Sequence, residues 1–285
     1  MWKRLIFIGA LAFLIYMLWP YSVLRLKTEN PRTTSLMELR KKEARAVGRK
    51  FKPDLEWVPL GQISPSLVHA IVLAEDDTFY QHHGFDLEQI EIAFHRNMDK
   101  HKYVYGGSTI TQQLARTLFL RPRKSLLRKA KEAILTVYLE ATLSKRRILE
   151  LYLNVIEWGP GIFGAEAASR HYFSKPASDL TPDEAVAMAS ILPSPRRWSP
   201  FSEKAFMARR RTQLLERMQR AGYAPPSTFM DGDSVALPAG LEVPLEPALE
   251  DVMPQGPPPP DPNALSEPPH PAPDAVEYPS NPPKT

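Results

Sequence analysis

The distribution of prolines in this 285-residue chain limits which part of it can form a packed domain. Of its 30 prolines, 18 lie from Pro225 onward, including the run 257–260. Proline lacks a backbone donor and interrupts helices and strands, and this stretch shows no apolar periodicity. Such a segment cannot bury enough apolar surface to offset its ordering entropy. We therefore predict a disordered, proline-rich tail at 225–285 and place the fold before it.

The charge of the chain changes at the same point. The tail holds ten Asp and Glu against one Lys, whereas residues 1–224 hold 35 Lys and Arg against 22 Asp and Glu. A basic body suits an anionic membrane surface, a phosphorylated substrate or nucleic acid. The basic clusters at 40–45 and 209–211 fit no nucleic-acid-binding motif, and solvated helix faces explain them equally well. We expect no nucleic-acid partner. The absence of cysteine excludes disulfides and thiolate metal sites.

An apolar run near the N-terminus has the length of a membrane span. Residues 5–18 are apolar without interruption, and mostly apolar residues extend the run to Leu24. About twenty such residues cross the roughly 30 Å hydrocarbon core as a helix. Lys3 and Arg4 favour a cytoplasmic N-terminus, and no small-residue cleavage site follows the run. The sequence thus predicts one uncleaved transmembrane anchor at 1–24, then a juxtamembrane linker at 25–56.

Helix signals fill the body at 57–224. Ser64 and Thr181 each precede a proline at the first helical position, and Asp86 and either Ser108 or Thr109 are candidate caps of two more helices. Further helices are predicted at 125–143, 144–156, 164–173 and 203–221. The apolar side of the helix at 125–143 consists of Leu127, Ile134, Val137, Tyr138 and Ala141. Short strands are considered only near 57–59, so we predict a mainly α domain.

Two segments of this domain carry residue types suited to acid–base chemistry on an anionic substrate. Glu75 and Asp76 close the first apolar helix, and Gly107 leads into the helix that begins near Ser108. We expect Asp76 to orient loop backbone and to take no part in the chemistry. The free N–H groups of a helix N-terminus attract anions, and a carboxylate in a partly dry cleft can accept a proton. Each pattern is weak alone, because surface carboxylates and glycines before a cap are common.

Five segments in order between Pro59 and Pro200 together resemble the signature motifs of the family 51 peptidoglycan glycosyltransferases. They are residues 75–86, 107–113, 128–132, 148–154 and 164–173. The resemblance implies a lysozyme-like helical domain with a small membrane-proximal lobe. It also implies inverting polymerisation of lipid II, with β-1,4 bond formation and release of polyprenyl diphosphate. The expected partners are lipid II, the growing lipid-linked glycan and the bacterial cytoplasmic membrane, with the catalytic domain on the outer, periplasmic side.

The same resemblance implies roles for individual residues. Glu75 would be the general base, and Glu132 would act beside the leaving diphosphate through a hydrogen bond or a divalent metal, although an ordinary i,i+4 ion pair with Arg128 is the alternative. Mg²⁺ or Mn²⁺ is compatible with the sequence but not required by it. At least one of Gln112 and Gln113 could face the cleft. The residues expected to bind substrate are Ser108, Thr109, Gln112, Arg116, Lys124, Arg128 and Lys129.

Two of these residues depart from the family pattern, because Arg116 stands where Lys is usual and Lys124 where Arg is usual. Two other functions stay open. A lysozyme-like lytic hydrolase would use Glu75 as general acid, but the cations at 116–129 would then meet no anionic substrate. A non-catalytic membrane scaffold would recruit cell-wall synthesis or division proteins through the tail. No Ser-x-x-Lys with a downstream Lys-Thr-Gly occurs, so no transpeptidase domain is expected.

Overall fold

The structure is a computed structural model that describes Trp2 and residues 21–99, 107–121 and 125–224. Most of the predicted anchor, the whole predicted tail and Lys124 lie outside these residues. Among the described helices, none combines the length and the apolar character needed to cross a membrane.

The described residues are mainly helical, as predicted, and contain ten α-helices. In chain order these are α1 Tyr21–Arg25, α2 Ser35–Ala46, α3 Pro65–Glu75, α4 Leu87–Asp99, α5 Ile110–Phe119, α6 Leu126–Thr142, α7 Lys145–Val155, α8 Ala165–Phe173, α9 Pro182–Ile191 and α10 Ala205–Arg220. Short 3₁₀ turns lie at Leu60–Gln62 and Ala177–Asp179.

Several predicted caps begin these helices. Thr109 and Thr181 each form a capping box with the side chain three residues later, which satisfies two backbone donors. Asp86 accepts a 2.8 Å bond from the backbone N–H of Gln89 at the start of α4. Ser64 precedes α3 but does not cap it through its side chain, because its hydroxyl donates instead to the carbonyl of Leu180 at 2.8 Å.

A small three-stranded sheet was not predicted where it lies. The strands are β1 Asp54–Leu55, β2 Glu157–Gly159 and β3 Ile162–Phe163, in the order β1-β3-β2. β1 pairs with β3 in parallel, through Asp54 with Ile162, and β2 pairs with β3 antiparallel. Strands of two or three residues are too short to show a period-2 pattern, which explains why the sequence did not reveal them.

The helix that ends at Glu75, α3, is packed into the core. α3 packs against α9 and α10, while α5 packs against α6 and α7. Leu67 and Ile71 of α3 and Leu114 of α5 are fully buried. A residue at the C-terminal end of α3 is therefore carried by a helix that the core holds on several sides, which limits its movement.

The predicted apolar side of α6 is divided between the core and the surface, because Tyr138 is partly buried and packs against the core. Leu127, Ile134 and Val137 are between 49% and 67% exposed. The buried positions of α6 are instead Glu132, Thr136 and Leu139. α6 thus turns a partly polar face inward and leaves an apolar stripe on the surface of the described residues.

Candidate active site

Glu75 lies at the last position of α3 and faces α5. Its Oε2 accepts a 2.8 Å hydrogen bond from Nε2 of Gln113, and the hydroxyl of Tyr152 donates to Oε1 of the same amide at 3.0 Å. Because the tyrosine donates to the amide oxygen, the amide nitrogen must point at Glu75. The orientation of Gln113 is thereby fixed from α7.

The surroundings of Glu75 favour its protonated form. The side chain is only 14% exposed, and this burial raises the pKa of Glu75 above its usual value, to which nearby Asp76 adds. The bond from Gln113 and the charges of Arg210 and Arg116 oppose the rise in the pKa. A carboxylate with a raised pKa binds a proton more tightly than an ordinary one, which suits a general base.

Asp76 ties the loop after α3 to the N-terminus of α5. Its Oδ2 accepts the backbone N–H of Ile110 at 2.9 Å, and its Oδ1 lies 2.8 Å from Nε2 of His82. The backbone N–H of Gly84 donates to Nδ1 of His82 at 3.1 Å, so Nε2 carries the proton that reaches Asp76. Asp76 thus orients backbone, as the sequence indicated, and His82 supports it.

Gly84 makes a close approach that a larger residue would prevent. Its φ is +88°, and a Cβ at this position would lie 2.6 Å from Cγ2 of Thr136 on α6. Its carbonyl accepts a 2.7 Å bond from the hydroxyl of Thr109. The first two motif segments and α6 therefore meet at this glycine.

Thr109 and Gln112, two of the predicted substrate-binding residues, form the cap of α5 with their side chains. Both are buried, and their side chains bond each other's backbone N–H groups in the capping box of α5. Together they build the start of α5. The polar side chain of this turn that reaches Glu75 is Gln113, one residue further along the helix.

A second carboxylate, Glu132 of α6, is held by two cations. Arg128 donates to its Oε2, and Nζ of Lys129 lies 2.6 Å from its Oε1. The side chain of Glu132 is 0% exposed, so the pair with Arg128 is not an ordinary surface ion pair. The nitrogen of Lys129 also lies 3.4 Å from the hydroxyl of Ser108.

These contacts join the two carboxylates into one continuous region. Gln113 contacts Glu75 and, at 3.5 Å, the carbonyl of Ser108, whose hydroxyl meets Lys129. Arg116, on α5, adds positive charge that acts on Glu75. Of the nine predicted site residues, eight lie in the described part of the chain, and five of these belong to this chain of contacts: Glu75, Ser108, Arg128, Lys129 and Glu132.

Known proteins are similar to this chain over most of its length. A family model described as "Transglycosylase" matches residues 42–219. A biosynthetic peptidoglycan transglycosylase of Aromatoleum aromaticum is 48% identical over 222 residues, which are 78% of this chain and 95% of the relative. The chain belongs to the transglycosylase family. Proteins with the same description are 51% identical in an Azoarcus species, over 66% of this chain and 83% of the relative, and 46% identical in Laribacter hongkongensis, over 72% and 90%.

The cation-bound state of Glu132 does not suit a divalent metal in this transglycosylase. Both carboxylate oxygens accept bonds from cationic side chains, so a metal ion would have to displace Arg128 or Lys129 and then stand beside their charges. Among the described residues there is also no group of three or more histidines and carboxylates that could hold a metal. We derive no step through a metal ion.

Sequence reasoning did not assign a role to two residues beside Glu75. Tyr152 lies in the fourth motif segment and fixes Gln113, and burial raises its pKa well above the usual value, so its hydroxyl stays a donor. Arg210 of α10 lies 4.0 Å from Glu75, although it belongs to a cluster that solvated helix faces explained equally well. A partly buried arginine 135 positions away from its partner leaves no local pattern in a sequence.

Proposed function

We propose that this protein is a peptidoglycan glycosyltransferase that polymerises lipid II. The observation that carries the proposal is the chain of contacts from Glu75 through Gln113 and Ser108 to Lys129 and Glu132. It joins a proton acceptor in a partly dry position to the cations Arg128 and Lys129. A sugar hydroxyl and a diphosphate leaving group need these two features side by side.

In the proposed reaction, Glu75 accepts the proton of the acceptor's 4-hydroxyl while that oxygen attacks the anomeric carbon of the donor. The new C–O bond forms on the face opposite the diphosphate, so the α-linked donor becomes a β-1,4 linkage. The bond from the anomeric carbon to the diphosphate oxygen breaks, and its electron pair leaves with the polyprenyl diphosphate. Gln113 and Tyr152 keep the carboxylate oriented during this step.

Stabilisation of the charge that develops on the diphosphate requires cationic residues. We assign it to Arg128 and Lys129, whose positions Glu132 fixes, with Ser108 as a hydroxyl donor and with Arg116 and Lys124 as further cations. Arginine can form forked bonds to phosphate oxygens, whereas lysine provides a compact charge that can move with the leaving group.

The exposed stripe of α6 supports contact with a membrane. It consists of Leu127, Ile134 and Val137, together with the 90% exposed Leu126. α1, which covers the end of the predicted anchor, packs against α6. An apolar stripe on a helix that packs against the end of the predicted anchor suits the interfacial layer of a bilayer, where lipid-linked substrate would be supplied.

A direct assay separates the proposed function from its alternatives. Full-length protein in detergent is incubated with lipid II, and products are resolved by size, in parallel with incubation on preformed glycan strands. Polymer and released polyprenyl diphosphate are expected. Cleavage of preformed glycan without polymer would indicate the lytic hydrolase, and neither product would indicate the scaffold.

The membrane contact has a separate test. Val137→Glu places a charge in the exposed stripe, and Val47→Glu makes the same change at the exposed end of α2. We expect Val137→Glu to lower polymerisation in proteoliposomes by several-fold while leaving the melting temperature within about 2 °C, because the residue is exposed. Equal activity of both variants and wild type in proteoliposomes would remove the stripe from the proposal.

A further inference from the structure

Arg210 of α10 approaches the carboxylate oxygen of Glu75 that Gln113 of α5 does not bond. One of its terminal nitrogens, Nη2, lies 4.0 Å from Oε1 of Glu75, while Gln113 holds Oε2. Within the described ranges, Glu75 is the only carboxylate within 4.0 Å of the Arg210 guanidinium. The two oxygens of Glu75 thus face different partners, a neutral amide and a cation.

The burial of Arg210 is costly by itself. Its side chain is 29% exposed, and its Nε is buried with no hydrogen-bond partner among the described residues. Burial lowers the pKa of Arg210, the neighbouring charge of Arg217 lowers it further, and Glu75 opposes both effects. A buried donor without a partner destabilises a fold, so a cation in this position calls for a compensating interaction.

The separation of 4.0 Å allows an interaction through charge without a direct hydrogen bond. Oε1 of Glu75 therefore keeps its lone pairs open toward an incoming hydroxyl. A closer, bonded arginine would occupy those lone pairs, as Arg128 and Lys129 do on Glu132.

We propose that Arg210 is a positioning residue for Glu75, which keeps this carboxylate ionised and its Oε1 available between turnovers. The inference rests on the proposed role of Glu75 as general base. It assigns to α10, which lies outside the five motif segments, a direct influence on the reaction.

The other groups that face Glu75 do not replace this charge. From α5 come the neutral amide of Gln113 and the cation Arg116, and from α7 comes the hydroxyl of Tyr152, a neutral donor. Asp76 contributes negative charge from the following residue. Burial and Asp76 both raise the pKa of Glu75. Without Arg210, only Arg116 and the hydrogen bond from Gln113 would oppose this rise.

The same helix supplies two matched controls. Arg217 lies 3.1 Å from Asp77 and contacts the loop after α3 through an exposed ion pair. Arg209 is exposed and directly precedes Arg210 in the sequence. Arg217→Gln and Arg209→Gln each remove one positive charge from α10, as Arg210→Gln does. Neither control residue is within 4.0 Å of Glu75.

The test is the pH dependence of kcat/KM for lipid II polymerisation by the full-length enzyme in detergent. A cation favours the ionised carboxylate, so its loss raises the pKa of the base, which is then protonated up to a higher pH. We expect the acidic limb of the profile to move upward by about one pH unit in Arg210→Gln. Arg210→Lys should recover at least half of this shift, and both control variants should keep the wild-type limb.

Other outcomes would overturn the inference. An unmoved limb with a uniformly lower kcat would give Arg210 a purely structural role, and an unmoved limb with a raised KM would make it a substrate ligand. If Arg210→Gln does not fold, Arg210→Met, which keeps an aliphatic stem, takes its place, and failure of both to fold would assign Arg210 to the fold alone. Wild-type turnover by Glu75→Gln would refute the role of Glu75 as general base. If Glu75→Gln is inactive and the acidic limb of Arg210→Gln does not move, only the inference about Arg210 is refuted.

Discussion

The side chain of Glu75 is 14% exposed and that of Glu132 is 0% exposed, and their surroundings differ. Glu75 receives one bond from a neutral amide and has a cation at 4.0 Å, whereas both oxygens of Glu132 are bonded by cations. Burial raises the pKa of Glu75. Glu75 has oxygen lone pairs available for a proton, and Glu132 has them committed to two side chains.

This difference separates the tasks of the two residues. A general base must be able to gain a proton, so its charge has to be only partly compensated. A residue that orients two cations must keep its own charge and both of its bonds. We therefore infer that Glu75 reacts and that Glu132 places the groups that meet the diphosphate.

The largest expected effect comes from Glu75→Gln, which keeps the shape of the side chain and removes proton acceptance. We expect kcat for lipid II polymerisation to fall by roughly 10²–10⁴-fold, with KM changed little. Asp77→Asn, two residues away in an exposed pair with Arg217, is the control and should stay within about twofold. Near wild-type kcat in a folded Glu75→Gln protein would contradict the assignment of Glu75 as the general base.

Glu132→Gln should have the next largest effect. Losing charge-assisted bonds of about 1.5–3 kcal/mol each would misplace Arg128 and Lys129 and lower kcat/KM by about 10–100-fold. Because both oxygens are bonded by cations, the factor between wild type and variant should be the same with Mg²⁺ and with a chelator. A defect that appears only when Mg²⁺ is present would instead make Glu132 a metal ligand.

A smaller and more local effect is expected at Lys129. Lys129→Gln removes a cation that contacts both Glu132 and Ser108, and we expect about a tenfold loss of kcat/KM, mainly through kcat, because Lys129 is assigned to charge that develops on the diphosphate. Lys131, two residues on and exposed, provides the matched control, Lys131→Gln. Equal losses in both variants would mean that the total charge of α6 matters and the placement by Glu132 does not.

The smallest effect is expected from loss of the hydrogen bond by which Tyr152 orients Gln113 toward Glu75. Tyr152→Phe removes the donor to Oε1 of Gln113, so the amide can rotate away from Glu75. A hydrogen bond of about 1 kcal/mol corresponds to a loss of roughly fivefold in kcat. An unchanged kcat would show that Gln113 keeps its orientation without the tyrosine.

Features with local signals could be predicted from the sequence. Thr109 and Thr181 were recognisable as caps because a capping box spans only four residues. That Glu75 and the start of α5 belong to one site was implied by the resemblance of both segments to the motifs of one family. The prediction that Asp76 orients backbone was likewise confirmed by its bond to Ile110.

Features that depend on distant contacts could not be predicted. The stripe of Leu127, Ile134 and Val137 indicates a face that avoids water, but periodicity does not reveal whether protein or membrane covers it. Gln112 and Gln113 are adjacent and chemically identical, and only the packing of α5 decides which one reaches Glu75. Arg210 meets Glu75 through the packing of α10 against α3.

The most direct test of the central claim measures the ionisation of Glu75 in two independent ways. A carboxyl group with a raised pKa in the folded state binds protons more tightly there than in the unfolded chain. Its stabilising contribution is therefore complete at acidic pH and is lost as the pH rises from the ordinary value of 4.5 through the folded pKa.

The melting temperature of Glu75→Gln minus that of wild type should accordingly increase over this pH interval and then stay constant. The pH at which the increase ends should coincide with the acidic limb of wild-type kcat/KM, because the same carboxylate controls both. A temperature difference independent of pH, or a kinetic limb at least one pH unit away, would contradict the assignment of Glu75 as the base.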